Sequence, residues 1–360
     1  MRHGLVRSQL RKVEMRPLQG MRFATCVIGL LQLLKLYIGA HIALSFVGHT
    51  LALHDARPST GPRHATSETS QLDLGSVEEQ LAVLESLRQH GILDEAEELA
   101  HTLLTLQLDL HGSSHVDAVR VRVALAMVLR ERGELDDAHA QLSSAIEAAP
   151  SLESAGNTEV VAQTKKIMAW VLDDREEYAD ASALHADVLR WQLKFLGEKH
   201  EETLLTKMNI GLGLAARGLL GEAQVPLKEA VEGNREVLGN SHLHTLAAAN
   251  NLAYVYEQLE QFEAATEVYR AALPGLTDKF GDQHPRTQMG RRNLAQSLEA
   301  QKLFTEAVGV RTRVLEIEVS AYGDLHASTA AARFDLAKTL AADGSVDKAK
   351  QQYDRVVSDF

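Results

Sequence analysis

The chain has a single cysteine, Cys26, in 360 residues. An intrachain disulfide is therefore excluded, and so is a cysteine-based zinc cluster. Aromatic residues make up only 5% of the sequence, and alanine and leucine dominate, a composition suited to closely packed helices. Runs of β-branched residues bounded by hairpin turns are missing, which argues against strands. A basic surplus is missing too. The net charge is −12, with nine Lys/Arg against four Asp/Glu in residues 1–75 and 28 against 45 in the remainder. An acidic body argues against general nucleic-acid binding, which needs a basic face. No general acid–base pair stands out, so an enzyme is not expected.

What the sequence does contain is a period. "GEKHEET" (197–203), "GNSHLHT" (239–245), "GDQHPRT" (281–287) and "GDLHAST" (323–329) share Gly, His and Thr at the same offsets. His200, His242, His284 and His326 are each 42 residues apart, as are Thr203, Thr245, Thr287 and Thr329. An alanine recurs at 96, 138, 181, 223, 265, 307 and 349, at intervals of 42 or 43. A fixed period of this length marks stacked supersecondary units, so residues 76–360 read as about seven copies of one unit.

The unit is helical. In the fifth copy Leu246, Leu252, Val255, Tyr256 and Leu259 follow three-to-four spacing, and after a break at Glu260–Gln261 so do Phe262, Ala265, Val268, Tyr269 and Ala272. Gly91, Gly133, Gly218 and Gly344 occupy that break in other copies, as a helix stop in the left-handed region favours.

Helix, tight turn, helix, with a small residue where the helices meet, resembles the tetratricopeptide repeat. Leu252, Ala253, Tyr256, Phe262, Ala265, Tyr269 and Ala272 carry the pattern in the fifth copy. Leu125, Ala126, Leu129, Gly133, Leu135 and Ala138 carry it in the second, with Pro150 closing the unit. The 42-residue period, the Gly-x-x-His-x-x-Thr junction and "NNLA" (250–253) look like the kinesin light chain variety. The resemblance implies an all-α tetratricopeptide repeat solenoid, a right-handed superhelix of about seven helix-turn-helix repeats, preceded by a basic and apolar N-terminal extension.

It also implies a concave face lined by the first helix of each unit. Carried over position by position, the inward residues are Arg120, Met127, Arg130, Lys166, Trp170, Asp173, Met208, Leu212, Asn250, Tyr254, Glu257, Arg292 and Gln296. Arg120, Lys166, Trp170, Asn250, Tyr254 and Arg292 form the expected protein-binding groove. Asn250 would hold a peptide backbone, and the cations favour an acidic segment or a terminal carboxylate. The expected function is a non-enzymatic protein–protein interaction scaffold of unidentified partner, with no nucleic acid and no cofactor. The alternatives are a membrane-tethered or organellar assembly factor, or a kinesin light chain-like cargo adaptor without its coiled coil, since residues 1–75 hold no sustained heptads.

The junction histidines precede first helices, among turn and cap residues. Packed helices lie roughly 8–10 Å apart and zinc ligands about 2.1 Å from the metal, so four histidines strung along a solenoid cannot share one ion. They are expected to be structural, with the Asn or Asp before them or the hydroxyl after them capping the helix, and no metal site is expected. "GLGLAA" (211–216) mimics a dinucleotide fingerprint but falls inside a helix, not after a strand. "DDREE" (173–177) clusters carboxylates at an inter-helix turn, where solvated charge is the ordinary reading.

The first 75 residues differ in kind. Residues 1–22 are a basic leader. Residues 23–54 are mostly apolar, long enough to span a bilayer but interrupted by Gln32, Lys35, His41 and His49. Residues 55–75 are a polar linker. A membrane anchor is the favoured expectation, with mitochondrial or cytoplasmic placement as alternatives.

Overall fold

The computed structural model describes residues 76–358. They form fifteen α-helices, with no strand among the described residues. In chain order these are α1 (Val77–Gln89), α2 (Leu93–His111), α3 (Val116–Arg132), α4 (Leu135–Glu147), the short α5 (Ala149–Ser154), α6 (Thr158–Asp174), α7 (Tyr178–Phe195) and α8 (Glu201–Ala216). Then follow α9 (Leu220–Leu238), α10 (Leu243–Gln258), α11 (Phe262–Phe280), α12 (Pro285–Ala300), α13 (Phe304–Tyr322), α14 (Ala327–Ala342) and α15 (Val346–Ser358). Apart from α5 they make seven pairs, and successive helices pack on one another along the chain. This is the expected helical solenoid. First helices also touch first helices, at α1/α3, α3/α6 and α8/α10, so the first helices share one face.

The seven recurring alanines hold the pairs together. Each lies on a second helix, six of them are 0% exposed and Ala349 is 3% exposed. A larger side chain there would push the two helices apart. Gly211 does the same from the other side: a Cβ on it would lie 2.5 Å from Leu227 Cγ. The "GLGLAA" stretch is therefore a packing surface within α8, as expected.

The repeat contains two turns with different demands. Between the helices of one pair the chain passes through the left-handed region, as at Gly133 (φ 83°, ψ 11°). Glu176, Glu260 and Lys302 take that place in other repeats, at φ 66°, 57° and 63°. Between pairs the glycine has φ near +85° with extended ψ, as at Gly281 (φ 86°, ψ 167°). Only glycine enters that region readily. This explains why the first turn tolerates substitution while the Gly of Gly-x-x-His recurs.

The rest of the junction is a set of caps. His115, His200, His242, His284 and His326 each accept a hydrogen bond at Nδ1 from the amide two residues on, at 3.1–3.3 Å. The histidine itself is thus the N-cap, which corrects the expectation that its neighbours fill that role. With Nδ1 accepting, the N–H of the ring is on Nε2. Thr203, Thr245, Thr287 and Thr329 donate from Oγ1 to the junction glycine carbonyls at 2.7–2.8 Å. Aromatic rings four residues earlier stack on three caps: His111 on His115, Phe280 on His284 and Tyr322 on His326. Buried cations from the following helices pin the loops, with Lys207 on Glu198, Arg291 on Asp282 and Arg333 on Asp324.

The junction before α6 departs from this. Pro150 cannot continue α4, so the helix stops at Ala148 and α5 absorbs the additional residue of the 43-residue interval. Thr158 stands where the histidine would be, and the N-cap, Asn157, makes no side-chain cap. Among the described residues no helix is long and apolar enough to cross a membrane. The leader, apolar run and linker of residues 1–75 lie outside the described residues.

Candidate functional site: the face of the first helices

Positions 42 or 43 residues apart occupy equivalent places, so this face can be read column by column. One column runs Met127, Trp170, Leu212, Tyr254, Gln296 and Lys338. A second runs Arg120, Gln163, Leu205, Ala247, Met289 and Ala331. A third runs Val123, Lys166, Met208, Asn250, Arg292 and Phe334. Leu212 is 40% exposed, Tyr254 52%, Met289 60% and Phe334 50%, a succession of apolar side chains left open to solvent. Leu205, Met289 and Phe334 were not singled out from the sequence. Their spacing from Arg120 and Asn250 was the available signal.

The same slot between neighbouring repeats carries two chemistries. Between α6, α7 and α8 it is polar, lined by Glu159, Gln163, Lys166, Gln192 and Glu202, with Lys166 Nζ 2.6 Å from Glu202 Oε2. Two repeats on, between α10, α11 and α12, the equivalent cleft of about 310 Å³ is lined by Leu243, Ala247, Leu276, Phe280 and Met289, with Asn250 at its edge. Arg286 lies over the Phe280 ring, 5.2 Å from its centroid.

The predicted groove residues fall into two groups. Asn250 and Tyr254 are exposed on α10, one turn apart. The three cations are already engaged. Arg120 Nη1 lies 2.9 Å from Glu78 Oε1, Lys166 binds Glu202, and Arg292 Nη2 lies 2.8 Å from the buried Glu318. The positive field expected to attract an acidic segment is therefore neutralised from within the chain. Trp170 is half-buried, with Arg130 and Lys166 each 5.4 Å from its ring centroid. It borders a second cleft of about 570 Å³ with Asp173, Leu205, Asn209 and Leu212.

Beneath this face a polar column co-varies between the two helices of a pair. Asp173 accepts from buried His185 Nε2 at 2.8 Å, Glu257 accepts from Tyr269, and Glu299 binds Arg311 at 2.9 Å. In the fourth repeat both positions are apolar, Ala215 and Leu227. Burial raises the Glu257 carboxyl above the usual range, and burial together with the Glu257 charge raises the Tyr269 hydroxyl. The "DDREE" run is structural in the same sense: Asp173 serves His185, Asp174 binds Arg130 at 2.6 Å, and Arg175 binds Asp136 and Glu177.

The four junction histidines each cap their own helix. One of them has company that the sequence reading did not weigh, although "SHLHT" displayed it: His244 and Glu201 lie beside His242.

A tetratricopeptide repeat family model matches residues 206–278. No curated protein sequence matches the chain. Among solved structures, the kinesin light chain nearly identical TPR-like repeats of Podosopora anserina are 22% identical, covering 55% of this chain and 93% of theirs, at a TM-score of 0.49. BtubC (BKLC) from P. vanneervenii is 18% identical over 69% of this chain and 93% of that one, at 0.51. A signal transduction ATPase with a tetratricopeptide repeat sensor from Pyrococcus horikoshii is 14% identical over 78% of this chain and 41% of that one, at 0.63. With its 42-residue units, histidine-capped junctions and seven buried alanines, the chain has the tetratricopeptide repeat fold over its described residues, and residues 206–278 match the family itself.

Proposed function

We propose that this protein is a non-enzymatic scaffold that binds an extended peptide segment along the first helices of repeats four to six. A tetratricopeptide solenoid supports a protein–protein interaction scaffold, and the finer reading rests on one observation. Tyr254, Leu212 and Met289 are exposed on three consecutive first helices, with the exposed amide of Asn250 among them. Apolar side chains at one-repeat intervals receive alternate side chains of a strand-like segment. An amide that both donates and accepts holds its backbone. Because Arg120, Lys166 and Arg292 are ion-paired, the segment favoured is apolar with few charges rather than acidic. The test is to select peptides from a displayed library against the full chain and measure their affinity for Tyr254→Ala, Asn250→Ala and the second-helix control Glu267→Ala. Loss confined to the first two supports the reading, and loss confined to the control refutes it.

A further inference from the structure

The junction between the fourth and fifth repeats carries a group of side chains found at no equivalent place among the described residues. Glu201 opens α8, His242 caps α10 and His244 lies in the first turn of α10. One donor atom from each of the three lies within 4.8 Å of the others. Glu201 Oε1 is 3.0 Å from His244 Nδ1, and the two histidine rings meet edge to face at 5.1 Å. His244 Nδ1 is buried and makes no aligned hydrogen bond despite that short distance. Nearby lies a second buried atom in the same condition. Asn234 is 1% exposed, and its Oδ1 has no hydrogen-bond partner. The positions equivalent to 234 and 244 two repeats later are Glu318 and Ser328, which touch at 2.6 Å, so by repeat equivalence position 234 lies opposite position 244.

We propose that Glu201, His242 and His244 form a binding site for a divalent transition-metal ion of the zinc class, with the Asn234 carbonyl oxygen beside it. Two imidazoles and a carboxylate are a donor set such ions accept. Tetrahedral coordination at about 2.0–2.2 Å requires the three donors to draw closer to one another than they stand here. The other junctions act as internal controls. Leu243, His284 and Arg286 hold these places in the next one, and Pro285, His326 and Ser328 in the one after. The preceding junction has Glu159, His200 and Glu202, but Lys166 occupies Glu202.

Coordination has a structural consequence. A metal-bound imidazole keeps its proton on the other ring nitrogen, whereas His242 Nδ1 accepts from the His244 amide at 3.3 Å. Binding through Nε2 therefore shifts the proton to Nδ1 and gives up that cap, an interaction much weaker than metal ligation.

The test is calorimetric titration of Zn2+ into the untagged full-length chain, with Co2+ absorption reporting coordination geometry. One high-affinity equivalent is expected. His244→Ala and Glu201→Gln should each weaken it about tenfold or more. His242→Asn, which keeps a cap acceptor but removes the imidazole, should do the same, while His284→Ala leaves it unchanged. Circular dichroism verifies that each variant folds. Absence of a high-affinity equivalent, or one undiminished in His244→Ala and Glu201→Gln, would overturn the proposal. The latter outcome would assign the ion to histidines elsewhere in the chain.

Discussion

Repeats one to three and repeats four to seven are built on one plan yet finished differently. In the first group the shared face is charged and internally neutralised: Arg120 on Glu78, Arg130 on Asp174, Lys166 on Glu202. Its last junction is broken by Pro150 and capped by nothing better than Asn157. In the second group every junction has Gly, His and Thr, and the face presents Leu212, Tyr254, Met289 and Phe334. The difference teaches that regularity at the junctions and openness of the face go together here. Caps and buried ion pairs stabilise the later repeats from within and make no use of that apolar surface.

The comparison can be broken at the junction glycine. Gly281→Ala forces a side chain into a region that only glycine enters readily and should destabilise the chain by about 1–3 kcal/mol in urea unfolding. Gly133→Asn, at a left-handed turn that Glu and Lys occupy elsewhere, should lose well under that. The caps give the next largest effect. His284→Ala should lower stability by about 1 kcal/mol and His284→Asn should recover most of it, whereas Asn157→Ala, with no cap bond to lose, should change little. In the opposite direction, Lys302→Gly relieves a left-handed non-glycine residue and should stabilise by about 0.5–1 kcal/mol in the same measurement. The smallest effect is electrostatic. Burial pushes the Asp282 carboxyl up, but Arg313 and Arg291 outweigh it and hold the group below the usual range. A lowered carboxylate contributes stability at neutral pH that is lost as pH falls below the ordinary aspartate range. A melting-temperature series across pH should therefore slope downward in acid, and less so for Asp282→Asn.

Most of the fold was legible because a repeat is read many times over. The alanines and the turn glycines each recur at fixed offsets, the alanines buried on second helices and the glycines at positive φ between helices. The cap was misassigned because histidine is an uncommon N-cap, and only geometry shows Nδ1 accepting the amide. Six groove positions carried over from one repeat pattern, but their partners did not. Glu78, Glu202 and Glu318 lie 42, 36 and 26 residues from the cations they bind, distances that no local motif signals. Column reading recovers Met289 and Phe334 because it asks what each equivalent position exposes rather than which residue type looks reactive. His244 and Glu201 escaped for a related reason: 43 positions separate them, and neither is part of the repeating signature.

The central claim is that an uncharged extended segment binds on the first helices of repeats four to six. The most direct measurement is the affinity of a library-selected peptide for Tyr254→Ala beside that for Arg120→Ala and Glu267→Ala, each on a folded full-length chain. The account predicts a loss of about 2 kcal/mol or more, some thirtyfold, for Tyr254→Ala and wild-type affinity for the other two. Wild-type affinity in Tyr254→Ala with loss in Arg120→Ala or Glu267→Ala would contradict it.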